Sequence, residues 1–161
     1  MQIANPAGLT DTRLQVHWAT QLQSAAADAT VEHAEDDSHS NLGWDTENAT
    51  LTGRSGVLID VPNFVLHAAN ESLPLAGKTL DDALDWLAQR INTRLAFRDY
   101  DMPDHAVRAG QPLNPDVRQL AEIARWFTFA HDILQPQGEL RVWPHHFDMG
   151  FWISLQQENA S

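Results

Sequence analysis

The chain has 161 residues, of which 43% are hydrophobic and 20% are charged, a composition typical of a folded protein rather than a disordered one. Its 22 acidic and 10 basic residues give a formal net charge of −12, so its surface should repel the phosphates of nucleic acids and of anionic membranes. The sequence contains no cysteine, which excludes disulfides, thiolate metal sites and a thiol nucleophile.

Two features of the sequence bear on the cellular location of the protein. No apolar run approaches the roughly 20 residues needed to span a bilayer. The first residues, MQIANPAGLTDTR, lack the basic start and apolar stretch of a secretory signal. We therefore expect a cytoplasmic protein with no nucleic-acid partner and no membrane partner, folded as a single domain over residues 1–161.

Helical spacing of apolar residues predicts three amphipathic helices. Thr10 or Asp11 can cap the first, which should run for about five turns. Thr79 opens a capping box and a second helix with a clear apolar stripe. Asn114 and Pro115 supply an N-cap and a first-turn proline for the third helix.

Alternation of apolar and polar residues predicts about five short strands, and Pro62 should create an edge or a bulge in the third. Because the strands do not alternate regularly with helices, the pattern favours an α+β fold. We expect a two-layer sandwich in which an antiparallel sheet of about five strands packs against about three helices. The strand segments are residues 41–45, 49–53, 56–67, 140–143 and 149–155.

The most unusual local sequence is WPHHFD at residues 143–148. If this segment is extended, His146 and Asp148 lie on one face, where an imidazole and a carboxylate can chelate one divalent cation. Asp37 and His39 are the best distant donors. The alternative is structural: one histidine bonds a backbone carbonyl in a proline-bent corner that Asp148 orients. The metal hypothesis takes as candidate ligands His39, His145, His146 and Asp148.

Six tryptophans are many for this length, and most should be buried. Trp44 and Trp143 each adjoin a histidine-bearing segment, so we expect them to wall a pocket for a small-molecule ligand. Asp37 and His105 are the polar candidates for this pocket, although a solvated loop for Asp37 and a turn for His105 are the simpler interpretations. Residues 97–111 form a long ordered connection, a kind of segment that often carries function.

A hydrolase is a weaker alternative. Asp37 could orient His39 beside Ser38 or Ser40, which is the beginning of a nucleophile and base arrangement. The sequence lacks the G-x-S-x-G pattern of an exposed nucleophile elbow. A solvated acidic loop is therefore the better interpretation of these residues.

Four segments occur in an order that resembles a family of uncharacterised bacterial proteins. They are DDSHSNLGWD at 36–45, LAGKTLDDALDWL at 75–87, YDMPDH at 100–105 and RVWPHHFDMG at 141–150. The family has no established activity, substrate or cofactor, so the resemblance implies relatives and confers no function. It adds interest to the candidate metal ligands, which lie inside these segments.

Members of that family continue past the WPHHFD segment into further β-rich sequence, whereas this chain ends about a dozen residues later. We expect an open sheet edge as a result, which a second copy could cover to form a homodimer. The leading hypothesis for function is a small-molecule or metal-ion binding domain, with a metal-dependent enzyme as one form of it. The alternative is a non-catalytic interaction or self-assembly domain that uses Phe151, Trp152 and Ile153 as its surface.

Overall fold

In the computed structural model, which describes residues 6–151, one antiparallel sheet of seven strands packs against three α-helices. The helices are Thr10–Thr30 (α1), Leu80–Arg90 (α2) and Val117–Leu134 (α3). The strands are Leu42–Asp45 (β1), Thr50–Gly53 (β2), Leu58–Asp60 (β3), Val65–Ala68 (β4), Glu71–Pro74 (β5), Leu140–Trp143 (β6) and Asp148–Phe151 (β7).

The strand order across the sheet is β5-β4-β3-β2-β1-β6-β7. The first five strands form a meander, and the chain then builds α2, the long connection and α3 before β6 pairs with the free side of β1. This arrangement confirms the predicted α+β class, the antiparallel sheet and the three helices. None of the helices within residues 6–151 is long and apolar enough to cross a bilayer.

The sheet has more strands than the sequence pattern predicted, for two reasons. The run 56–67 is a hairpin of β3 and β4 rather than one strand, because Pro62 lies in the turn between them. The sequence pattern does not predict strand β5. It follows a tight turn in which Ala69 and Asn70 both have positive φ, 49° and 64°, and its mostly exposed side chains show no alternation.

Helix α1 is the central element of the fold rather than an amphipathic surface helix. Every residue from Gln15 to Ala27 is buried, including the polar ones. Gln23, for example, donates through Nε2 to the main-chain oxygens of Leu51 and Val57, both at 2.9 Å. Polar side chains that suggested a solvent-facing side, Gln21 and Gln23 among them, therefore bond the backbone of neighbouring segments.

Three of the hairpin turns share one backbone form. Each has four residues between its strands, and the fourth adopts a left-handed conformation: Ala49 at φ 51°, Phe64 at φ 52° and Phe147 at φ 57°. In the first two turns an Asp carboxylate before the turn accepts from an Asn amide within it. These pairs are Asp45–Asn48 at 2.7 Å and Asp60–Asn63 at 2.8 Å.

The third turn, residues 144–147, is held instead by α1. Gln21 donates through Nε2 to the Pro144 oxygen at 2.7 Å, and His17 Nε2 bonds the His145 oxygen at 3.2 Å. Phe147 is buried and stacks on the His17 ring at a centroid distance of 5.2 Å. Helix α1 therefore holds the turn through hydrogen bonds to its main-chain carbonyls. The segment is not extended, so the alternation expected for residues 145–148 does not apply.

Helix α2 begins with the predicted capping box. Thr79 accepts from the Asp82 amide at 3.0 Å, and the Asp82 carboxylate accepts from the Thr79 amide at 3.2 Å. Helix α3 starts two residues later than Asn114 suggested, since Asp116 is its N-cap and bonds the amides of Arg118 and Gln119.

Replacing Thr79 by alanine is expected to lower the free energy of unfolding by about 1 kcal/mol, because the Asp82 amide loses its partner. Urea unfolding followed by circular dichroism measures this change. Thr46→Ala, at an exposed turn position, is the matched control and should stay within about 0.5 kcal/mol of the parent protein. Equal losses in the two variants would contradict the capping role.

Candidate functional site

The structure brings the Asp36–Asp37 loop and the third turn together, although more than 100 residues separate them. Between them lies an open cleft of about 330 Å³, which we call the His cleft. It contains most of the predicted site residues. Three carboxylates and two imidazoles line it. It is lined by Asp36, Asp37, Trp143, His145, His146 and Asp148.

His145 forms the inner part of this cleft. Its ring stacks on Tyr100 at a centroid distance of 5.0 Å and lies 4.2 Å from the His146 ring. Burial lowers the pKa of His145, and the neighbouring His146 lowers it further. His145 is therefore a neutral imidazole at pH 7, and its buried Nδ1 has no hydrogen-bond partner within residues 6–151.

Arg98 bonds one of the cleft carboxylates, Asp37, and holds several other groups in place. Its Nε pairs with Asp28 Oδ2 at 2.8 Å. Its Nη1 donates to Asp37 Oδ1 at 2.6 Å and to the Tyr100 hydroxyl at 2.7 Å. The hydrogen bond from Arg98 lowers the pKa of Asp37, and burial raises the pKa of Tyr100. We call Asp28, Asp37, Arg98 and Tyr100 the Arg98 network.

His39 belongs to the same region but does not line the His cleft. It is buried, its Nδ1 accepts from the Ala34 amide at 3.3 Å, and its Nε2 bonds Asp28 Oδ1 at 2.8 Å. Because its Nδ1 accepts, His39 donates to Asp28 through Nε2. The His33 ring covers it at a centroid distance of 4.4 Å.

Within residues 6–151, Asp28, His33 and His39 form a group whose ligand atoms lie within 4.8 Å of one another. That spacing can hold a metal ion, yet two features oppose one. A metal on His39 Nε2 would move the ring proton to Nδ1, where the Ala34 amide already points. The guanidinium of Arg98 also approaches the same atom, at 3.4 Å. We interpret the group as an anchor in which Arg98 supplies the positive charge.

Two other predicted residues have roles elsewhere. Trp44 and Trp143 face opposite sides of the sheet, because Leu42 pairs with Val142 and side chains alternate along each strand. Trp44 is buried against α3, where its Nε1 donates to Thr128 at 3.2 Å. The two indoles therefore do not wall one pocket.

His105 binds the protein's own backbone and α1. Its Nδ1 accepts from the Val107 amide at 3.2 Å, and its Nε2 lies 2.9 Å from Asp11 Oδ1. Hydrogen bonds from His105 and Gln15 lower the pKa of Asp11. His105 thus caps the short 3-10 turn Ala106–Ala109 and ties the long connection to the start of α1.

The serine hydroxyls beside His39 are not arranged for nucleophilic catalysis. Ser40 Oγ donates to the main-chain oxygen of Asp37 at 2.9 Å. The Ser38 amide and hydroxyl both bond Asp36, and they lower its pKa. Since Nε2 of His39 is directed at Asp28, no hydrogen bond joins either hydroxyl to this imidazole in the described part of the chain.

A second concavity, which the sequence pattern did not single out, lies between α1, α2 and residues 97–110. We call this space of about 270 Å³ the aromatic pocket. Trp18, Met102 and Val107 are buried in its wall, and the Trp18 indole donates to the Pro103 oxygen at 3.1 Å. Arg98 also lines it, and its guanidinium bonds Asp37 of the His cleft. Other lining residues are Gln21, Leu80, Asp81, Phe97, Asp99, Tyr100 and Arg108.

The surface proposed for self-association falls mainly outside the described residues. Phe151 ends β7 and is half-buried, whereas Trp152 and Ile153 lie outside residues 6–151. Strand β7 is the last strand at its side of the described sheet. The homodimer stays a prediction.

Comparison of the chain with protein-family models, with curated proteins and with solved structures gave no match. The resemblance of the four sequence segments therefore stays a prediction. The chemistry of the two concavities has to be inferred from their own residues.

Proposed function

We propose that the protein is a binding domain for a small apolar carboxylate, which occupies the aromatic pocket. The observation that carries this proposal is the combination of aromatic walls with the guanidinium of Arg108 at one edge, which has no ion-pair partner within residues 6–151. Small-molecule sites typically combine a mostly apolar concavity with a few polar groups that fix orientation.

The walls of the pocket suit an apolar ring or chain. The polar edge of Trp18 is satisfied by Pro103, so its ring offers an apolar face. Met102 and Val107 add aliphatic surface, and Phe97 and Tyr100 add two further rings. A volume of about 270 Å³ lies just below the usual range of ~300–1,000 Å³ and indicates a small ligand.

The position of Arg108 favours a carboxylate. Arg98 is occupied by Asp28 and Asp37. The Cζ atom of Arg108 lies 5.9 Å from the centroid of the Trp18 ring. Arg108 forms no ion pair within residues 6–151. A guanidinium can donate two parallel hydrogen bonds to a carboxylate, so Arg108 is the group that would bind the ligand's acid end. Asp81 and Asp99 also line the pocket and disfavour ligands with more than one negative charge.

Titration calorimetry with benzoate, phenylacetate and indole-3-acetate tests this proposal, with benzamide as a neutral analogue of similar shape. We expect at least one acid to bind and benzamide to bind at least tenfold more weakly. Arg108→Ala should weaken acid binding at least tenfold, because the acid end loses its charged partner.

Arg118→Ala is the matched control, since Arg118 is exposed at the start of α3 and lies outside the pocket. This variant should bind the acids as the parent protein does. If no acid binds, or if the two arginine variants bind equally well, the proposed function is wrong.

A further inference from the structure

We propose that the His cleft is a site for a divalent transition-metal ion, separate from the aromatic pocket. The ligands would be His145, His146 and Asp148, with one carboxylate from the Asp36–Asp37 loop. This inference does not depend on the proposed carboxylate ligand, since the two concavities share no lining residue.

The donor types fit this class of ion. Two imidazoles and three carboxylates surround one open cleft. Neutral imidazole suits zinc, cobalt, nickel and copper, while a site of carboxylates alone would favour magnesium or calcium. Of the three cleft carboxylates, Arg98 pairs only with Asp37, so the cleft keeps an excess of negative charge that attracts a cation.

The backbone that carries the ligands is fixed. Gln21 and His17 bond the carbonyls of Pro144 and His145, which fixes the main chain of the turn. Both imidazoles of the turn line the cleft. Tyr100 supports the His145 ring by stacking. A binding site built on an anchored turn loses little conformational entropy when its ligand arrives.

The outer ligands can adjust. His146 and Asp148 are exposed at the mouth of the cleft. As placed, they do not join a group of three ligand atoms within 4.8 Å in the described part of the chain. Rotation about the side-chain bonds of exposed residues between staggered positions brings such atoms together at small cost. Trp143 forms a wall beside them. Its ring packs over Gly150, where a Cβ atom would lie only 3.4 Å from Cζ3 of the indole.

The test uses untagged protein and the metal salts alone. Metal content after equilibration with zinc chloride is measured by mass spectrometry, and cobalt chloride is titrated with visible spectroscopy to report nitrogen and oxygen ligands. We expect one equivalent of metal in the parent protein. His146→Ala and Asp148→Asn should each weaken binding at least tenfold.

His33→Ala is the control that separates this site from the Asp28, His33 and His39 group. It should bind zinc as the parent protein does. Circular dichroism and urea unfolding confirm that each variant is folded, and His146 and Asp148 are exposed enough for that to be expected. Absence of stoichiometric metal, or loss of metal in His33→Ala with retention in His146→Ala, overturns the inference.

Discussion

Replacing Arg98 by alanine is expected to lower the free energy of unfolding by about 2–3 kcal/mol, a larger loss than for any exposed arginine. The guanidinium pairs with Asp28 and Asp37 and donates to Tyr100. Asp28 is only 15% exposed, so its carboxylate would be left with an unpaired oxygen away from water. Removing one partner of a buried charge pair leaves the desolvation cost of the other uncompensated.

Arg90→Ala is the matched control for this prediction. Arg90 also forms an ion pair through Nε, at 2.7 Å from Glu71, but the Glu71 side chain is 55% exposed. The expected loss is below about 1 kcal/mol, because water solvates the remaining carboxylate. Urea unfolding of both variants gives the comparison. Losses of similar size would mean that the Arg98 network contributes no more than a surface pair.

Much of the fold could be predicted from local pattern. The capping box at Thr79 and Asp82 fixed the start of α2 because both partners are three residues apart in sequence. The β1–β2 hairpin followed from alternation around a polar turn. Strand β5 could not be predicted in this way, since an edge strand with exposed side chains has no apolar face to reveal it.

The candidate site could be predicted only in part. Asp37, Trp143, His145, His146 and Asp148 were marked by unusual composition, and the structure places them around one cleft. The residues that organise that cleft lie on other elements and carry no local motif. Asp28 looks like a helix-end residue and Arg98 like a loop residue until the fold brings them together.

Helix α1 shows why the sequence pattern predicted only part of the candidate site. Its buried polar side chains bond the backbone of neighbouring segments, including the third turn. A polar residue in a helix is normally read as a solvent-facing one, and nothing local distinguishes it from a buried one. His17 and Gln21 therefore shape the His cleft from behind without lining it.

His17 also makes the stability of the protein depend on pH. Burial lowers its pKa from 6.5 to about 4, which outweighs the hydrogen bonds to the His145 and Pro144 oxygens that raise it. Between these two values the unfolded chain binds a proton that the folded protein does not. Stability from this group is therefore complete above pH 6.5 and falls as the pH drops towards 4.

In His17→Gln the amide can still donate to the His145 oxygen, but the side chain no longer titrates. From pH 7.5 to pH 5 we expect the parent protein to lose about 2 kcal/mol more than this variant, which follows from the two pKa values. Urea unfolding at pH 7.5, 6 and 5 measures the difference, and at pH 5 most carboxylates are still ionised. Parallel pH profiles for the two proteins would show that the His17 ring is not held neutral by burial, and that α1 supports the third turn through hydrogen bonding alone.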